Sequence, residues 1–156
     1  MYRGYAINYS SRLNNQVLTA AESCTGGWIA KMITDIAGSS GWFDCGFVTY
    51  SNTAKAKQLG VKKSILLKHG AVSAEVVTEM ALGALEHSRA SISVAVSGVA
   101  GPDGGNPEKP VGTVYMAWAQ RNGEVKTIRR HFEGDRNAVR SATVAAALQG
   151  ILDYFV

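Results

Sequence analysis

Between residues 16 and 36 the hydrophobic pattern changes period with no linker in between. Residues 16–21 (QVLTAA) read as a short strand. From Thr25 onward Trp28, Ile29, Met32, Ile33 and Ile36 recur at the spacing of one helix face. The hinge is Glu22-Ser23-Cys24-Thr25-Gly26-Gly27. A strand delivered straight into a helix through a glycine-bearing turn is the opening of an α/β unit, and it sets Ser23 at that turn. Gly38 stands where the helix should stop.

The rest of the chain continues the alternation. Residues 42–50 (WFDCGFVTY) are aromatic and β-branched, hence a strand; residues 52–59 read as a helix closed by Gly60. Ser73 is placed to cap a helix carrying Val76, Val77, Met80, Ala81, Ala84 and Leu85 on one face. Ile92, Val94 and Val96 alternate in a strand ending at Ser97, followed by a Gly/Pro-rich loop to Pro110. Residues 111–119 and 124–132 flank the turn Arg121-Asn122-Gly123 as a hairpin. Its second strand carries Lys126, Arg129, Arg130 and His131, which suits a sheet edge. Asp135 caps a last helix with Val144, Leu148, Ile151 and Phe155 at helical spacing, and the N-terminus to about Asn14 reads as a short helix. The expected architecture is α/β: a three-layer α/β/α sandwich on a mixed, mostly parallel sheet with an antiparallel C-terminal hairpin.

The 156 residues, with no repeat or linker, fit one domain spanning 1–156. A chain of this size buries roughly 70% of its unfolded surface, enough for a real core. A net charge of +4 favours anionic ligands, but the basic residues are scattered and not interleaved with aromatics. We therefore expect a phosphate-bearing small molecule and no nucleic acid. Cys24 and Cys45 have no CxxC spacing, so a reducing cytoplasm is expected rather than a disulfide framework. No apolar run reaches the ~18 residues of a membrane span, and no membrane partner is expected. Apolar helices on a small sandwich lead us to expect a homodimer.

Ligands of open α/β sheets collect at the carboxyl ends of strands. Three segments lie there: residues 22–27, 50–57 and 97–105. At a tight turn Ser23 can project its hydroxyl, while free N–H groups at Thr25, Gly26 and Gly27 can hold an anion or oxyanion. Ser23 or Thr25 could equally be a plain helix cap. Cys24 is a rival nucleophile, though a small cysteine packed under the turn is the commoner case. A serine needs a base, and none of His69, His87 or His131 is placed as one. Lys55 or Lys57 offers a Ser–Lys pair, with Lys55 the better placed to face inward and a solvated helix lysine the bland reading of both. The loop with Gly98, Gly101, Gly104 and Gly105 matches neither GxGxxG nor a Walker loop; it is a ribose- or ring-binding wall or a connector. Asp103 is its lone acid, so no metal or other cofactor is expected.

Six ordered blocks change the reading: TAAESCTGG (19–27), GFVTYSNTAKAKQLGV (46–61), HGAVSAEVV (69–77), SGVAGPDGG (97–105), KPVGTVY (109–115) and GDRNAVR (134–140). Together they closely resemble the C-terminal domain of the competence/damage-inducible protein CinA, whose stand-alone form is a nicotinamide-nucleotide amidase. The resemblance implies hydrolysis of nicotinamide mononucleotide to nicotinate mononucleotide and ammonia in pyridine-nucleotide salvage. It implies Ser23 as nucleophile and Lys55 as base, with Tyr50 assisting. Ser97 stands where the family pattern has threonine; it keeps the hydroxyl and is implied in the catalytic set, for proton transfer or for binding. Thr25, Gly26, Gly27, Gly98 and Gly101 are implied at the substrate, and Arg136 or Arg140 at its phosphate. Larger family members carry a further N-terminal domain, whose activity is not expected here. The alternative reading is a non-catalytic pyridine-nucleotide-binding or regulatory module.

Overall fold

The computed structural model describes residues 13–156; the short helix expected up to Asn14 falls mostly outside them. The elements are β1 (Leu18–Glu22), α1 (Trp28–Thr34), a 3-10 turn (Ser39–Gly41), β2 (Phe43–Val48), α2 (Asn52–Leu59) and α3 (Lys63–His69). After these come α4 (Ala74–Glu86), β3 (Ile92–Gly98), β4 (Thr113–Gln120), β5 (Val125–His131) and α5 (Arg136–Phe155). The sheet order is β2-β1-β3-β4-β5. Strand β1 is parallel to both β2 and β3, while β4 runs antiparallel between β3 and β5. Four of five strands thus share one direction. The basic strand β5 is an edge, as its charges require.

The pleat divides the strand side chains between two layers. On one face Ile92, Val94, Val96, Val114, Met116 and Trp118 pack beneath α1 and α5. On the other, Ala21, Ala95, Ala117 and Ala119 leave room for α4 to lie close. Ser93 Oγ donates to the α4 carbonyl of Ala81 at 2.8 Å, which satisfies a hydroxyl buried in that tight layer. Two glycines mark contacts that no side chain would allow. A Cβ on Gly83 of α4 would sit 1.9 Å from Leu59 O at the end of α2, and one on Gly150 would sit 2.2 Å from the Trp118 ring. Trp118 Nε1 also donates to Ala147 O at 3.0 Å, pinning α5 to β4.

The caps follow the side chains read from the sequence. Ser73 accepts from Val76 N, and Asp135 accepts from Ala138 N. Gly60 closes α2 in the left-handed conformation at φ 70°. The first helix differs from expectation. Gly26 and Gly27 have φ of 60° and 100°, so the chain cannot be helical before Trp28, and Asp35 rather than Gly38 ends the helix. Strand β4 begins two residues later than periodicity suggests, because Gly112 turns at φ 95° just before it, and β5 begins one residue later. Helix α3 spans seven residues, too few for a periodic signal.

Candidate active site

Since β1, β2 and β3 are parallel, their carboxyl ends meet on one edge, and the three candidate loops converge there. A cavity of about 310 Å³ is lined by Ser23, Tyr50, Lys55, Ser97, Gly98 and Gly101, with Arg136 reaching in from the start of α5. The α3–α4 turn closes it with Ala71 and Val72.

Ser23 and Lys55 meet inside. Lys55 Nζ lies 2.9 Å from Ser23 Oγ, 2.8 Å from Thr49 O and 3.1 Å from Tyr50 O. The lysine side chain is 1% exposed, and no carboxylate accompanies it among these partners. Burial therefore drives its pKa from the ordinary 10.5 to about 8. Lys57, two residues on, is exposed. Cys24 also borders the cavity, but burial pushes its thiol up to about 11, so it stays protonated and poorly nucleophilic.

The turn bearing Ser23 is held from two sides. Ser23 N donates to Val96 O at 3.1 Å, and Gly26 N donates to Ser23 O at 3.1 Å. Below the turn, the buried Glu22 carboxylate accepts from Thr25 Oγ1 at 2.6 Å, Ile29 N at 2.8 Å and Ala30 N at 3.0 Å. Above it, Arg140 donates to Cys24 O at 3.0 Å and Thr25 O at 3.1 Å, with its guanidinium over the Trp28 ring. Neither Ser23 nor Thr25 caps α1: its N-cap is Gly27, without a side-chain acceptor, and Glu22 takes the helical N–H groups instead. Thr25 and Gly27 N–H are left without an acceptor among the described residues.

The remaining candidates divide. Arg136 donates to Gly101 O at 2.8 Å and to the Tyr50 hydroxyl at 3.4 Å, both on the cavity wall. Arg140 is spent on the turn. Tyr50 reaches Lys55 through its carbonyl, while its ring is 62% exposed. Thr25, Gly26 and Gly27 lie behind Ser23 rather than in the lining. His87 and His131 are engaged with the carbonyls of Gly83 and Val111, and His69 faces Glu75; none lines this cavity. Among the described residues no group of His, Cys, Asp and Glu gathers as metal ligands would, and no helix is long and apolar enough to cross a membrane. Sequence reasoning missed Glu22. Its signal was the cap itself: a helix opening on two glycines must find its N-terminal acceptor elsewhere.

The site therefore defines an α/β protein with a serine–lysine pair in a crevice at the carboxyl ends of parallel strands. The chain belongs to the CinA C-terminal domain family, whose model matches residues 6–155. It is 55% identical over 150 residues to the nicotinamide-nucleotide amidohydrolase PncC of Escherichia coli (strain K12), covering 96% of this chain and 91% of that protein. The PncC of Pseudomonas putida is 58% identical over 141 residues, covering 90% and 87%. Among solved structures, a competence/damage-inducible protein from Agrobacterium tumefaciens superposes with a TM-score of 0.92 at 45% identity, covering 97% of this chain and 94% of that one.

Proposed function

We propose that this protein is an amidohydrolase that converts nicotinamide mononucleotide to nicotinate mononucleotide and ammonia, with Ser23 as nucleophile and neutral Lys55 as base. The observation that carries the reading is the surroundings of Lys55 Nζ. Two of its three neighbours are carbonyl oxygens, which can only accept, and the third is Ser23 Oγ. A neutral amine directs its two N–H groups at the carbonyls of Thr49 and Tyr50, which aims its lone pair at the serine hydroxyl.

Ser23 Oγ attacks the carboxamide carbon as Lys55 takes its proton. The oxyanion forms inside the cavity that Ser23 lines together with the polar wall of Ser97 to Gly101. Lys55 returns the proton to the leaving nitrogen, and ammonia departs. A water then attacks the acyl-enzyme with Lys55 again as base, giving the carboxylate and free Ser23. Ser97 lines the same cavity with a hydroxyl, and Arg136 supplies its cationic wall for the phosphate. The names of the PncC relatives support the amide as the bond cleaved.

Ammonia release from nicotinamide mononucleotide, its riboside and free nicotinamide tests this reading. We expect turnover of the mononucleotide ahead of the other two. Binding of the mononucleotide without ammonia release from any of them would reject it in favour of a non-catalytic module.

A further inference from the structure

The charge nearest the nucleophile in sequence belongs to none of these steps. Glu22 is fully buried and ends β1, between two parallel neighbours. A carboxylate in such a place must be satisfied by several donors or it would be strongly destabilising. Its donors all lie beyond Ser23: the Thr25 hydroxyl and the N–H groups of Ile29 and Ala30. The carboxylate therefore spans the turn, joining the strand end before the nucleophile to the first turn of the helix after it. The two left-handed glycines leave that turn with little backbone preference of its own.

We infer that Glu22 is a positioning residue for Ser23: by binding Thr25 and the start of α1 it sets the turn so that Oγ meets Lys55. The inference rests on the amidohydrolase reading for its kinetic readout, but not for its chemical one.

Glu22→Gln keeps the size of the side chain but replaces one acceptor by an NH₂ group that cannot accept from Ala30 N. The test compares wild type, Glu22→Gln and Thr25→Ala in kcat and KM for ammonia release, and in the rate at which a fluorophosphonate labels Ser23; thermal unfolding confirms the fold. In Glu22→Gln we expect kcat and labelling to fall together, on the order of tenfold or more, with KM unchanged. Thr25→Ala should show a smaller loss with the same split. A folded Glu22→Gln protein with wild-type labelling, or with KM alone raised, overturns the inference. Should Glu22→Gln fail to fold, Thr25→Ala decides: wild-type labelling and kcat overturn it, the kcat-only loss supports it. If wild type releases no ammonia, the amidohydrolase reading fails, while the labelling rates still judge Glu22.

Discussion

Replacing Lys55 by methionine should change how stability depends on pH, in a way that no other substitution in this chain would reproduce. The lysine is 1% exposed, and its pKa falls from 10.5 in the unfolded chain to about 8 in the folded one. That fall is worth about 3 kcal/mol at ~1.4 kcal/mol per pH unit. The sign follows from proton counting. Well below pH 8 both states hold the proton, so stability is insensitive to pH through this group. Between about 8 and 10.5 the unfolded chain holds the proton and the native one does not, so stability rises with pH. The assay is urea unfolding followed by tryptophan fluorescence from about pH 6.5 to 10.5, for wild type and Lys55→Met. Subtracting the two removes the titrating groups that do not interact with Lys55, as well as the constant effect of lost hydrogen bonds. The difference should be flat below about pH 7, then move in favour of wild type by about 3 kcal/mol across the alkaline range. A flat difference throughout would show that Lys55 keeps an ordinary pKa and that burial does not activate it.

The same titration governs turnover: kcat/KM for the mononucleotide should rise with pH to a plateau with a midpoint near 8, because only neutral Lys55 accepts the serine proton. A bell centred below pH 7 would point to another base. Gly83→Ala forces a Cβ onto Leu59 O and so pushes α2, which carries Lys55. It should destabilise by about 1–3 kcal/mol in thermal melts and reduce kcat as well; a loss of stability with full kcat would mean α2 tolerates the shift. Arg136→Met should raise KM for the mononucleotide more than for its riboside, whereas Arg140→Met should lower kcat with both alike, since it loosens the turn at Cys24 and Thr25. Steady-state kinetics on the two substrates separates these outcomes.

The fold was legible because its signals are local. Ser73 and Asp135 announce helices by side chains that cap their own N–H groups, and alternation at Ile92, Val94 and Val96 marks a strand whose two faces meet different layers. The site was legible only in part, because its decisive facts are tertiary. Helix α2 buries Lys55 and Leu59 one turn apart, so its inward face holds a charged residue where a pattern of apolar positions would show nothing. Arg136 and Arg140 are also one turn apart on α5, and spacing alone cannot say which reaches the cavity; contacts with Gly101 and with Cys24 do. The start of α1 was misplaced because the left-handed conformations of Gly26 and Gly27 interrupt a pattern whose apolar period is unbroken. Glu22 was passed over because a single acid at the end of a strand looks like surface until the sheet closes around it.

The central claim is that Ser23 performs the attack, and it is tested most directly by the initial rate of ammonia release from nicotinamide mononucleotide with folded Ser23→Ala beside wild type. A loss of at least about a thousandfold is predicted, since only weak catalysis by the remaining cavity should survive. A Ser23→Ala protein that melts like wild type and keeps a rate close to it would contradict the account.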